Sequence, residues 1–179
     1  MEETVPFFGR EYFVYLLILA FARGMDFLST WIATPRLVLE GNPIAKWLGW
    51  KGGALINIAM CLGFAAVPMA AIIIGTTSVL VAARNFQGAW LMRTMGEHNY
   101  RAWMSDRMCE GRTGLYVFCV IAQAGLTAGI GAALVWIDGP GPVPFGIGIG
   151  MMGYAAAVFI YSLLGVWRSR PRRNGNSEI

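Results

Sequence analysis

GGALINIAMCLGFAAVPMAAIIIGTTSVLVAA, residues 52–83, is the stretch on which the fold turns. A helix rising about 1.5 Å per residue crosses a hydrocarbon core about 30 Å thick in about 20 residues. The 32 residues of this run are therefore too many for one upright crossing and too few for two complete ones. Pro68 removes a backbone donor and clashes with the preceding turn, and Gly75-Thr76-Thr77-Ser78 interrupts the apolar pattern. The pattern predicts one kinked, tilted helix projecting into the cytoplasm, with a re-entrant pair as the alternative.

Three further apolar stretches accompany it, at about 12–32, 114–137 and 145–167. The whole chain of 179 residues is 56% hydrophobic and 13% charged, about half the charge of a soluble domain. The expectation is an all-α integral membrane bundle of about four spans in a single domain over 1–168. The run from Tyr12 to Ala22 has the length of a signal-peptide core, but Glu2 and Glu3 acidify the segment where a positive charge is needed. Residues 1–32 are thus read as an uncleaved first helix.

Orientation is read from the arginines. Arg84, Arg93, Arg101, Arg107 and Arg112 lie between the second and third spans, and Arg168, Arg170, Arg172 and Arg173 follow the fourth, whereas DGPGPVP between the last two spans carries no basic residue. Basic flanks stay cytoplasmic. Four crossings then put both termini in the cytoplasm of what reads as a bacterial inner membrane protein. One feature resists this topology: Arg36, Lys46 and Lys51 fall on the outer side, against the usual bias.

Small residues recur at helical spacing in the last two spans. Gly125, Gly129 and Ala133 share one face of the third, and Gly146, Gly150 and Gly153 lie along the fourth. In lipid, such faces let backbones approach and replace the hydrophobic drive of water. They are expected to pack as a hairpin or to receive a partner subunit. The polar segment 84–110 keeps helical spacing through Phe86, Trp90, Tyr100, Met104 and Met108, with a ladder of Arg93, Glu97 and Arg101 suited to local ion pairs. It reads as a surface helix or an extension of the second span. The basic tail 169–179 has no apolar periodicity and is expected to be disordered.

The costly residues cluster near the end of the first span. Arg23 and Asp26 lie three apart on one helical face, which Thr30 continues, and an isolated charge at such depth costs at least about 2.5 kcal/mol. A structural ion pair is the simplest expectation. Asn42 can cap a new helix whose first residue is Pro43, and Glu40 would then face the positive end of that helix. Lys51 or Lys46 could reach Glu40 in several foldings.

The spacing Asp26-x3-Thr30, then nine residues, then Glu40-x-Asn42-Pro43, resembles the signature of a family of small multi-span prokaryotic membrane proteins of unknown function. In that family an Asp-x3-Thr helix leads to a Glu-x-Asn-Pro turn, often with a lysine in the next helix. The likeness covers about 30 of the 179 residues. It implies that Asp26, Thr30, Glu40, Asn42 and Pro43 form a unit, and it implies no activity.

Other chemistries find little footing. Cys61, Cys109 and Cys119 have neither even number nor metal-ligand spacing, and His98 is the single histidine, which excludes two-histidine haem ligation within the chain. Asp106, Cys109 and Glu110 are the only conceivable metal set. No phosphate-binding glycine loop, dinucleotide fingerprint or hydrolase elbow occurs. The net charge of +4 fits lipid headgroups better than nucleic acid, because the basic residues crowd beside apolar runs. No cofactor or catalytic residue is implied. The expected role is an accessory subunit docking on a larger membrane complex, a membrane partner, a second copy or lipids. The alternatives are a small transporter or ion-linked channel component using the polar cluster, and an intramembrane lipid enzyme using Asp26 and Glu40.

Overall fold

The computed structural model describes residues 4–107, 113–136 and 142–169, and among these it contains six α-helices and no strand. They are α1 (Arg10–Ala33), α2 (Pro43–Phe64), α3 (Pro68–Met95), α4 (Glu97–Arg107), α5 (Thr113–Trp136) and α6 (Pro142–Ser169). Four of them, α1, α3, α5 and α6, are long and apolar enough to cross a membrane. Their large side chains largely face outward: Phe13, Leu17, Phe21, Leu115, Phe118, Leu126 and Ile160 are exposed, as a lipid-facing surface requires.

The apolar run 52–83 is not one kinked helix. It ends as α2 at Phe64 and restarts as α3 at Pro68. Pro68 sits at the start of α3, where its missing N–H costs no helical bond, and Val67 before it is extended as a residue preceding proline prefers. The turn is held from outside the run, since the Ala66 carbonyl accepts from the Val5 amide at 3.0 Å. Tyr12, Leu19, Cys61, Ala65, Ala66 and Ala71 are buried together around it.

Contacts along the helices fix their directions. Tyr12 donates to the Leu62 carbonyl at 3.0 Å, Arg23 to Asn57 at 2.6 Å, and the Phe27 ring meets Trp50 edge-on at 4.9 Å, so α2 runs antiparallel to α1. Arg23 meets Ser78, Asn85 meets Thr30 and Glu97 meets Thr34, so α3 runs parallel to α1. Gly146 lies on Ile72, Gly150 on Thr76, and Arg84 on Ser162, so α6 is parallel to α3. Gly131 on Gly148 makes α5 antiparallel to α6.

Two consequences correct the sequence reading. Although α2 is diluted by Lys46, Lys51 and Asn57, it passes between the same two ends of the bundle as α1. That extra pass places Arg10 and Ser169 at opposite ends of the bundle. Second, α3 continues to Met95 and carries Arg84 inside the bundle, and the chain turns at Gly96, with φ of 79°, before α4. The Arg93–Glu97–Arg101 ladder does not form ion pairs; Arg93 lies over the Trp31 ring and Glu97 turns toward the 34–38 loop. Met108 and the tail from residue 170 lie outside the described residues.

The glycines divide by face. A Cβ at Gly148 would lie 2.5 Å from the Gly131 carbonyl oxygen, and one at Gly150 would lie 2.8 Å from the Thr76 Cβ. Gly146 similarly packs on Ile72, and Gly153 faces Thr77 at a looser 3.9 Å. By contrast Gly125 and Gly129 face open space and Ala133 is exposed, so the α5–α6 hairpin closes through Gly131. Gly148→Leu is expected to force the helices apart and destabilise the bundle by about 1–3 kcal/mol or more. Gly129→Leu should leave the unfolding midpoint in detergent within about 0.5 kcal/mol of wild type. Equal losses for the two variants would contradict the packing described.

Candidate functional site

Hydrocarbon gives a charged group no water, so each one must find protein partners. Arg23 finds them on three helices: Asp26 of α1 at 2.8 Å, Asn57 of α2 at 2.6 Å and Ser78 of α3 at 3.1 Å. The Arg23–Asp26 contact is the one ion pair among the described residues. Next along the same face, Asn85 of α3 donates to the hydroxyls of Ser29 and Thr30, each at 3.3 Å.

These groups open onto a cavity of about 590 Å³, within the range of small-molecule sites. Its floor is α1 and α3, its side walls are α2 and α6, and Tyr116 of α5 contributes at one end. The segment 37–42 closes over it and brings Gly41 to within reach of the Tyr161 ring. Arg23, Asp26, Thr30, Glu40 and Asn42, all singled out by the sequence, line this one space. Lys51 does not: it is exposed and absent from the lining, as is Lys46. A Gly49 with φ of 61° interrupts α2 between them, turning Trp50 inward so that its indole N–H donates to the Pro35 carbonyl at 2.9 Å.

The turn into α2 explains the Glu40-x-Asn42-Pro43 grammar. The Asn42 side chain accepts from the Ile44 amide at 3.0 Å, Pro43 opens the helix, and the Glu40 carboxylate accepts from the Asn42 amide at 2.8 Å. This satisfies donors that would otherwise be orphaned at a helix start. Asp26 and Glu40 therefore present two carboxylates to one cavity.

Four lining or supporting residues escaped the sequence reading. Asn57 interrupts an apolar run and Arg84 ends one; those interruptions were the available signals. Arg84 lines the cavity with only neutral partners, Gln123 at 3.2 Å and Ser162 at 3.4 Å. Asn85 is invisible without knowing that α3 lies against α1. Glu97, read as part of a charge ladder, is the main support of the loop over the cavity. Its carboxylate accepts from the Thr34 hydroxyl at 2.5 Å and from the amides of Arg36 and Val38, each at 2.8 Å. Arg101 adds a bond to the Val38 carbonyl at 2.5 Å.

The described residues contain no cluster of metal-ligating side chains; Cys109 and Glu110 lie outside them. No protein-family model matches the chain, and no curated protein or solved structure shows significant similarity to it. The likeness to the uncharacterised membrane family thus rests on the Asp26–Pro43 spacing alone.

Burial by itself would raise the Glu97 pKa, but the Thr34 hydroxyl, the two backbone amides and the Arg36 charge outweigh it and hold the carboxyl below its ordinary 4.5. A carboxyl depressed in the folded state contributes stability above its unfolded pKa, and that stability disappears as pH falls through the folded value. Glu97→Gln is expected to cost about 1–3 kcal/mol at neutral pH. The difference between wild type and variant in unfolding midpoint should be constant above about pH 5 and shrink on acidification below it. A difference that grew toward acid pH would reverse this assignment.

Proposed function

We propose that the chain is a membrane-embedded binding protein, working as a small transport component, whose cavity takes a charged molecule from the cytoplasmic side. The carrying observation is the convergence of Arg23, Asp26, Glu40 and Arg84 on one space of about 590 Å³ between four helices that sit in lipid. A purely structural ion pair accounts for Arg23 and Asp26. It does not account for Glu40 and Arg84, which line the same space without pairing with each other or with any other charge among the described residues. Intramembrane charges that line a cavity mark substrate or ion paths.

The helix directions support a sidedness different from the one read from the sequence. Arg36, Lys46, Arg93, Arg101 and Arg107 all lie toward the end of the bundle at which α6 finishes, whereas Arg10 is the single basic residue at the opposite end among the described residues. The basic first loop, anomalous for a four-span topology, joins the other arginines once α2 is counted as a pass. Under the positive-inside rule the inner-membrane protein has its N-terminus outside, its C-terminus inside and its cavity mouth toward the cytoplasm. Trp31, Trp47, Trp90 and Trp167, all exposed, ring that end at headgroup level.

The open face of α5, with Gly125, Gly129 and Ala133 presented to lipid, favours a second reading in which a partner's helix or another copy of the chain packs there. The two readings are compatible, since the stripe is remote from the cavity lining.

In a background lacking the native cysteines, Arg36→Cys should react with a membrane-impermeant thiol reagent only from the cytoplasmic side, and Phe7→Cys only from outside. Ala157→Cys, on the cavity wall, should react from the cytoplasmic side, whereas Leu126→Cys, facing lipid, should not. An unreactive Ala157→Cys would mean a dry structural pocket and would end the binding proposal. If the site is ion-linked, Asp26→Asn should abolish ion-dependent flux in reconstituted vesicles while the bundle stays folded.

A further inference from the structure

Resting on that reading, we infer that the ligand is a zwitterion of aminophosphate chemistry, its phosphate held by Arg84 and its amine by Glu40. Arg84 is the cation in the cavity that no carboxylate neutralises. Only Gln123 and Ser162 hold it, by long bonds to neutral oxygens, and it has further N–H donors to offer the oxygens of an anion such as phosphate. Arg23 is already committed to Asp26, Asn57 and Ser78. Glu40 is the complementary group, an acceptor bound to one backbone amide and paired with no cation.

The two groups belong to one neighbourhood. Arg84 meets Ser162, and Gly41, next to Glu40, lies 3.7 Å from the adjacent Tyr161 ring for an added Cβ, so both charges approach the same turn of α6. Tyr116, Tyr154 and Tyr161 line the same space, and aromatic faces attract an ammonium group. A simple anion would leave Glu40 unanswered, and a simple cation would leave Arg84 unanswered. A molecule that carries both an anionic and an ammonium group answers both.

Depth and access point to phosphate as the anion. Arg84 lies 16 residues into α3 from Pro68, about 24 Å along the helix, and so about 6 Å inside the cytoplasmic hydrocarbon boundary of a core about 30 Å thick. That is within reach of phospholipid headgroups. The side walls α2 and α6 make no extended contact with each other, and Ala157 and Val158 give the α6 wall an apolar surface. The shared chemistry is a phosphate joined to a primary amine, available either as the headgroup of phosphatidylethanolamine or as free phosphoethanolamine.

Native mass spectrometry of the full chain in detergent, with thermal shift as a second readout, separates these sources. One arm titrates free phosphoethanolamine, the other phosphatidylethanolamine against phosphatidic acid and phosphatidylglycerol. Wild type should prefer the aminophosphate at least tenfold in one or both arms, and the arm in which binding appears identifies the source. Arg84→Gln should lower binding at least tenfold and Arg84→Lys less. Glu40→Gln should erase the preference for the amine-bearing ligand over phosphatidic acid while phosphate binding persists. Should Arg84→Gln fail to fold, Arg84→Lys and Glu40→Gln carry the comparison. No aminophosphate preference in wild type, or unchanged binding in folded Arg84 and Glu40 variants, would overturn the inference. Because Ala157→Cys labelling is independent of ligand identity, a labelled cavity that ignores both aminophosphates would leave the binding reading standing and remove this one alone.

Discussion

A guanidinium inside hydrocarbon has to be neutralised and hydrogen-bonded, and Arg23 meets that demand by drawing α1, α2 and α3 together. Its bond to Asn57 ties α2 into the bundle near its middle, and its bond to Ser78 ties α1 to α3. Elsewhere α2 is anchored by Tyr12 at one end and Trp50 at the other. Removing one member of a buried pair leaves the other charge uncompensated, at a typical cost of about 3–5 kcal/mol, so the pair fixes helix placement more than it adds stability. The cavity lies where α2 stands away from the closely packed α1 and α3, with Arg23, Asn57 and Asn85 among the side chains that line it.

Small residues perform the opposite service on the far side of α3. Gly146 and Gly150 let α6 lie against Ile72 and Thr76, and Thr77 shares its hydroxyl between the Ile73 carbonyl and the Gly150 carbonyl at 2.9 and 3.0 Å. One face of α3 is therefore close-packed and another is polar and open. This asymmetry places Arg84 and Ser162 beside the cavity although α3 and α6 pack closely through Gly146 and Gly150. The fold thus combines a tight glycine seam with a cleft lined by polar side chains, and α3 contributes to both.

The membrane character of the bundle and the spans around α1, α5 and α6 were legible because hydropathy reads segment by segment. The division between α2 and α3 was not. Lys46, Lys51 and Asn57 lower the apolar content of α2 until only its second half looks like a span, and that half abuts α3 with no polar marker at Ala65–Val67. The decisive contact, Val5 on Ala66, is tertiary. The capped helix start at Asn42 and Pro43 was legible through capping grammar and the Arg23–Asp26 pair through charge cost, whereas Asn85 and Glu97 act through segments more than fifty positions away. The i, i+4 spacing of Gly125, Gly129 and Ala133 identified a face without saying what it meets; within the chain the α5–α6 contact runs through Gly131 instead.

The loop over the cavity is held by different physics from the bundle below it. Leu37 has φ of 56°, a left-handed conformation costing a leucine about 1–2 kcal/mol, and few large side chains there are deeply buried. Hydrogen bonds compensate: Glu97 gathers Thr34, Arg36 and Val38, while the Thr34 hydroxyl also accepts from the Leu39 amide at 3.0 Å. Arg101 on the Val38 carbonyl and Trp50 on the Pro35 carbonyl complete the set, so the segment is held chiefly by polar contacts whereas the seam is held by glycine packing. Among the described residues no buried side-chain polar atom lacks a partner. The polar side chains of the cleft are therefore satisfied by one another, and the placement of Arg23, Asp26, Asn57, Ser78 and Asn85 is fixed by the protein's own hydrogen bonds.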